Sequence, residues 1–385
     1  MAADVRLLLK EMVDRCGSDL YLTADSPPVV RVEGVNHTLD GEPLAPTEVE
    51  ALANSLMTER QRAAFEEEME MNLGISSSKL GRFRVNVFRQ RGAVGVVVRT
   101  IKTQIPTIDE LGLPAVLKDI VHTKRGLVLI TGATGSGKST TLAAMIDWRN
   151  QTTDGHIVTV EDPIEFMHPH KRCLITQREI GFDTHSYEAA LKNTLRQAPD
   201  VILIGEVRDR ETMEAAITFA DTGHLCLATL HSNNANQAIE RIMNFFPVER
   251  HAEIFLQLSL NLRAIVSQRL IPGVAGVRVA ALEILIDTPY VKDLIKKGEI
   301  DTIKEAMERS TQEGGQTFDQ ALFDLYSAGR VDAEEALANA DSANNLRIQM
   351  KNLDLRQSDR KSIDDTGGKL RIQGVSNEQL YRRSV

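Results

Sequence analysis

The chain has 385 residues, 42% of them apolar, enough for more than one buried core and too many for a disordered or fibrous protein. Its formal net charge of −9 has the wrong sign for coating nucleic acid or anionic lipid. Aromatic residues make up only 4%, which argues against base stacking as a theme, and no apolar run approaches the ~20 residues of a membrane span.

Cys16, Cys173 and Cys226 stand far apart and form no C-x-x-C pair, which suits a reducing compartment. The opening "AADVRLLLKEMVD" mixes acidic residues among its leucines and reads as an amphipathic helix, not a signal peptide. A soluble, cytoplasmic protein is expected. After that helix, "SDLYLT" and "PVVRVEG" read as strands separated by Pro27-Pro28. A polar helix is predicted from Thr47 to about Glu68, and "GRFRVNVFRQRGAVGVVVRTI" reads as a hairpin turning at "QRG". Residues 1–102 are thus predicted to form an α+β domain, and the proline-bearing "KTQIPTIDELGLP" supplies a linker at 103–115.

From Leu127 the pattern becomes β-α-β. Strands "LVLIT", "HIVTVE", "VILIGE" and "LCLATLH" alternate with helices ending at Trp148 and spanning 186–197 and 210–221. Such alternation predicts a parallel sheet covered on both faces. After Asn234 the pattern is mostly helical, with one further strand, "RVAALEILI". A second domain is therefore expected over 116–340. The polar remainder, 341–385, reads as a flexible tail, and no internal repeat is present.

The stretch "GATGSGKST" follows the first of these strands and opens a helix. Gly132, Gly137, Lys138 and Ser139 satisfy G-x-x-x-x-G-K-[ST] in the required strand–loop–helix context. Gly132, Ala133, Thr134, Gly135, Ser136, Gly137, Lys138, Ser139 and Thr140 are the predicted nucleotide cradle. Glycines let backbone N–H groups approach phosphate oxygens, and the helix N-terminus adds positive potential. In this pattern Lys138 reaches the β/γ-phosphates and the Ser139 hydroxyl ligates Mg2+, so the implied ligands are ATP and Mg2+.

Carboxylates near the γ-phosphate are also required. "DVILIGEVRD" carries a buried strand into Glu206, a candidate for holding Mg2+ or its water. "VEDPIEF" places Glu161, Asp162 and Glu165 just beyond another strand, where one of them can orient the attacking water; Asp162 equally fits a turn former. His224 and His231 bracket the next strand. His231, at its carboxyl end, is the better phosphate sensor.

These blocks carry a resemblance. "GATGSGKSTT", "VEDPIEF", "DVILIGEVRD" and "TGHLCLATLH" stand in the order and spacing of the Walker A, Asp, Walker B and His boxes of the secretion-ATPase superfamily. The likeness extends through "GRFRVNVFRQRG" and "RVAALEILI" to about residue 335, and it looks most like the PilT/PilU-type retraction ATPases of type IV pili. It implies an α/β RecA-like P-loop ATPase domain preceded by a smaller PAS-like α+β domain, in a homo-hexamer. It also implies Glu165 as catalytic base and Glu206 as the Walker B glutamate. Arg84 and Arg99 match arginines that reach phosphates from the N-terminal domain. Ordinary solvated strand arginines are the alternative for both.

Two departures bear on the branch. Ala133 stands where the family usually has proline, at a position without a ligand side chain. "YVKDLI", residues 290–295, replaces an "AIRNLI" stretch, and the chain continues past the usual end; both look like the PilU branch. The resemblance therefore implies a motor that powers or assists pilus retraction and twitching motility, acting at the cytoplasmic base of the pilus. Its implied partners are a PilT-type hexamer and an inner-membrane platform protein, with no nucleic acid and no membrane span. Acting as the main retraction motor, or as a regulatory ring subunit that binds nucleotide and scarcely hydrolyses it, are the alternatives. A pilus-extension or type II secretion ATPase fits less well, because those relatives carry an extra N-terminal domain and often a four-cysteine zinc motif.

Overall fold

The computed structural model describes residues 4–365, and residues 356–365 by backbone alone. The N-terminal elements are α1 (Val5–Asp14), β1 (Asp19–Leu22), β2 (Val29–Val32), β3 (Val35–Thr38), α2 (Pro46–Leu56), α3 (Glu59–Glu68), β4 (Glu70–Ser77), β5 (Gly81–Gln90) and β6 (Ala93–Thr100). They build an antiparallel sheet ordered β3-β2-β1-β6-β5-β4. Alternation along β5 and β6 sends Phe83, Val85 and Val87, and Val94, Val96 and Val98, into one core with Leu9 and Met12 of α1 and Val49 and Leu52 of α2. The expected single helix from Thr47 to Glu68 is instead two. Met57 is extended, and Thr58 opens α3 with a capping box: its N–H donates to Gln61 Oε1 at 2.9 Å while Gln61 N–H donates to Thr58 Oγ1 at 3.3 Å.

The second set runs α4 (Val116–His122), β7 (Gly126–Thr131), α5 (Lys138–Thr152), β8 (Gly155–Glu161), β9 (Cys173–Glu179), α6 (Tyr187–Thr194), β10 (Val201–Ile204), α7 (Arg210–Asp221), β11 (Leu225–Leu230), α8 (Ala235–Asn244), α9 (His251–Asn261), β12 (Leu262–Pro272) and β13 (Arg278–Ile286). Five helices follow: α10 (Pro289–Lys297), α11 (Ile303–Arg309), α12 (Phe318–Ser327), α13 (Ala333–Ala338) and α14 (Ala343–Asp365). The sheet order is β13-β12-β7-β11-β10-β8-β9, parallel from β12 to β9 with β13 antiparallel at one edge. Every residue of β7, β10 and β11 is buried, as a strand covered on both faces requires. One face packs Val128, Ile130 and Leu203 against Leu117 of α4 and Met145 of α5. The other packs Leu129, Ile202 and Ile204 against Met213 of α7 and Ile239 of α8. The chain is thus a P-loop α/β unit preceded by a smaller α+β unit. The carboxyl ends of β7, β8, β10 and β11 share one edge, where ligands sit in such sheets.

β3 and β4 in the first sheet, and β9 and β12 in the second, add four strands to those expected. In β12 the run "LRAIVSQRLIP" is interrupted by Ser267 and Gln268, yet both are buried because each finds side-chain hydrogen bonds. Residues 341–385, expected as a flexible tail, are helical from Ala343 to Asp365. Leu346 and Met350, one turn apart, bury themselves against Phe318 and Leu322 of α12, which a charge-and-polarity reading overlooks. The rest of that expectation, residues 366–385, lies outside the described residues. Between the two sheets, Ile108 and Leu113 of the 103–115 stretch are buried in the core beneath β7. No helix among the described residues is long and apolar enough to cross a membrane.

Candidate nucleotide site

β7 delivers its last residue, Thr131, directly into the glycine loop. Gly132 has φ +150°, and a Cβ there would lie 2.4 Å from Ser136 Oγ and 2.6 Å from the Gln268 carbonyl. Gly137 has φ +88°, and its Cβ would meet Gln268 Nε2 at 2.8 Å. Only glycine satisfies both the backbone conformation and the close approach. Gln268 also accepts from Thr141 Oγ1 at 2.7 Å, so β12 braces the loop from behind.

Gly137 caps α5 without a side-chain acceptor, leaving the first-turn amides of a 15-residue helix to face the loop. Lys138 Nζ is curled onto the loop, donating to the carbonyls of Gly132 at 2.8 Å and Ala133 at 2.9 Å. Burial lowers its pKa, opposed by the charges of Glu206 and Glu165. The Ser136 hydroxyl is buried without a hydrogen-bond partner. A loop that must have glycine at 132 and 137, a desolvated ammonium and an unsatisfied hydroxyl together fit a polyphosphate.

The cradle opens into a cavity of about 430 Å3. Lys138, Ser139, Glu161, Glu165, Glu206 and His231 all line it. Glu206 follows β10, in a turn pinned to β11: Thr229 Oγ1 donates to the Gly205 carbonyl, and Val207 N–H donates to the Thr229 carbonyl at 2.9 Å. Glu206 Oε2 accepts from Arg208 Nε at 2.8 Å, and its Oε1 lies 3.2 Å from His231 Nε2. The sheet edge therefore unites a P-loop lysine, a strand-end glutamate and a histidine from the neighbouring strand. His224, at the opposite end of β11, bonds Thr222 and the Phe219 carbonyl, a structural role. Ser139 and Glu206 both line the cavity, and hydroxyl and carboxylate oxygens are the hard donors that Mg2+ accepts.

The loop after β8 presents two different carboxyls. Burial raises Glu161 to about 7, despite hydrogen bonds from Thr159 Oγ1 at 2.6 Å and Gln177 Nε2 at 3.2 Å. Glu165 is exposed to the cavity. Arg84 and Arg99 are Cα partners across β5 and β6, and neither lines the cavity. Arg99 Nε donates to Asp19 Oδ1 at 2.8 Å, the main cause of its raised pKa, to which Glu165 adds a smaller charge effect. Arg84 acts on Glu179, where its charge opposes the upward push of burial.

Gln268, Leu270 and Arg278 join this site without any motif to announce them, and Thr229 joins it from within the "TGHLCLATLH" block, where only the histidines drew notice. Leu270 and Arg278 line the cavity from β12 and β13, strands contributed from late in the chain. Arg278 opens the run already read as a strand, but nothing in its immediate neighbours marks it as facing the loop.

Residues 46–377 match the type II/IV secretion system protein family, and the chain belongs to it. It is 56% identical over 345 residues to the type IV pilus ATPase PilU of Pseudomonas aeruginosa, covering 89% of this chain and 90% of that protein. It is 42% identical over 343 residues to the type IV pilus retraction ATPase PilT of the same organism, covering 89% of this chain and all of that protein. The crystal structure of the pilus retraction motor PilT with bound ADP superposes with a TM-score of 0.83 at 41% identity, over 88% of this chain and 98% of that one. Fold, site and family agree that the chain is a P-loop ATPase.

Proposed function

We propose that this protein is a Mg2+-dependent ATPase that drives type IV pilus retraction as a homo-hexamer, working as the accessory of a PilT-type hexamer at the inner-membrane platform. The observation that carries the reading is the convergence of Lys138, Glu165, Glu206 and His231 on one cavity at the carboxyl edge of the sheet. The 56% identity to a PilU over nearly the whole of both chains favours the accessory branch over the main motor. In this reading the cytoplasmic face of the membrane is the place of work.

The proposed mechanism assigns each residue one task. The loop amides and Lys138 hold the β- and γ-phosphates, and Ser139 and Glu206 hold the metal. Bound Mg2+ supplies charge neutralisation of the phosphates. Glu165, accessible to the cavity, takes the proton of the attacking water, whereas Glu161 is half-buried with its Oε1 already engaged by Thr159 and Gln177. His231, beside Glu206, registers whether the γ-phosphate is present. Arg84 and Arg99 close onto the phosphates when residues 1–102 swing toward residues 116–340, bending ahead of Ile108, where the 103–115 stretch enters the core. Hydrolysis releases that closure and turns chemistry into a stroke.

The test is deletion of the gene in cells with and without an intact PilT-type motor, scoring retraction under load. Loss of force with the partner present supports the accessory role. Unchanged force in both backgrounds overturns it.

A further inference from the structure

A buried carboxyl that takes no part in the mechanism above lies behind the cradle. Glu283 of β13 is 2% exposed. Its Oε1 accepts from the Ala235 N–H at 2.7 Å and from Ser267 Oγ at 3.3 Å. Ser267 Oγ in turn accepts from Thr131 Oγ1 at 3.0 Å. Ser267 and Thr131 are fully buried. Thr131 is the last residue of β7, immediately before Gly132. Ala235 opens α8, four residues after His231, with Asn234 as its cap.

One carboxyl therefore ties together the two segments that flank the cavity: the entry to the phosphate loop and the segment carrying His231. Burying a carboxyl is costly unless its hydrogen bonds are made; here one donor, Ala235, belongs to the His231 segment, and the other, Ser267 of β12, holds Thr131 at the loop entry. Burial raises its pKa to about 7, aided by Asp341 and opposed by the two hydrogen bonds and by Arg269, so an uncharged acid is accessible near neutrality.

We propose that Glu283 is a positioning residue for ATP hydrolysis, which sets the phosphate loop in register with the His231 segment through Ser267 and Ala235. This rests on the ATPase reading. Its consequence is that the two segments loosen together when Glu283 is removed, although they are remote in sequence.

Three variants of the full chain test it: Ser267→Ala, Glu283→Ala and Glu283→Gln, each measured for kcat, for KM of ATP and for deuterium uptake without nucleotide. Glutamine keeps an acceptor oxygen and mimics the protonated acid, so Glu283→Gln should remain within about twofold of wild type in kcat and KM. Ser267→Ala should lower kcat about fivefold or more with KM changed less than about twofold, and should speed exchange at 131–138 but not at 235–237. Glu283→Ala should speed exchange in both segments. Exchange confined to 235–237 in Glu283→Ala, or wild-type kcat in Ser267→Ala, overturns the proposal. Should Glu283→Ala not fold, the contrast between Ser267→Ala and Glu283→Gln decides alone. Absent turnover in the wild type would count against the ATPase reading, and the exchange pattern would still judge the coupling.

Discussion

The backbone N–H of Lys102 donates to the carbonyl of Glu165 at 3.3 Å, and the Lys102 carbonyl accepts from Met167 N–H at 2.9 Å. This two-bond bridge joins the exit of β6, three residues after Arg99, to the loop that carries the proposed catalytic base. The Lys102 ammonium adds a cation–π contact, 5.5 Å from the Phe166 ring centroid. The N-terminal sheet is therefore connected to Glu165 through backbone, and the proposed swing needs no side-chain relay to reach it. Lys102→Pro removes the donor, and ATP turnover should fall about fivefold or more while nucleotide affinity is kept. Lys102→Ala keeps both backbone bonds and loses only the ring contact, so turnover should stay within about twofold. Equal effects of the two variants would place the coupling in the side chain.

Glu165, Glu206 and Lys138 should separate by phenotype. Glu165→Gln should cut kcat by on the order of 10²-fold or more with nucleotide binding intact, since only proton transfer is lost. Glu206→Ala should also weaken Mg2+-dependent binding, and Lys138→Ala should abolish tight binding itself. Isothermal titration with ATP, with and without Mg2+, beside turnover rates, checks all three. A mild and equal loss from Glu165→Gln and Glu206→Ala would move the base elsewhere.

Arg84 and Arg99 stand outside the cavity, with Arg99 held by Asp19. If they close on phosphate, Arg84→Ala and Arg99→Ala should bind nucleotide normally yet lower kcat by on the order of 10³-fold, the scale of a catalytic arginine. Lysine should rescue only in part, because it keeps charge and loses the planar fork. The check is turnover together with the distance between spin labels on the two sheets, with and without nucleotide. Normal turnover in both alanine variants would make the N-terminal unit a passive spacer.

Glu161 gives the nucleotide-free fold a pH signature. Its folded pKa is about 7 against an ordinary 4.5. Below 4.5 the acid is protonated folded and unfolded alike. From 4.5 to 7 only the folded state keeps the proton, so this group's contribution to stability falls as pH rises and is fully lost above 7. Glu161→Gln lacks the proton to lose, so its Tm relative to wild type should climb across that window. A difference in Tm that stays constant with pH would show that Glu161 is not held protonated by burial.

Much of this was readable in the residues. The phosphate loop, the strands leading to Glu161, Glu206 and His231, and the β5–β6 hairpin all rest on local patterns: glycine spacing, apolar runs and turn residues. What escaped was set by distant partners. β12 hides Ser267 and Gln268 in a strand because Thr131, Thr141 and Glu283 satisfy them from more than a hundred residues away or across the hairpin, and no local pattern reports that. The end of α14 nearest the fold likewise depends on where Leu346 and Met350 land. Arg278 enters the site because β13 is the antiparallel edge, a fact of topology.

The measurement that bears most directly on the account is single-pilus retraction under load in cells whose only copy of this protein carries Glu165→Gln, with the PilT-type motor intact. Hydrolysis in the Lys138–Glu165 cavity is held to supply force, so pili should be made in normal number, the variant protein should reach the pilus base, and the retraction force should fall to that of the deletion strain. Wild-type force from the variant, with its ATPase shown to be dead, would contradict the account.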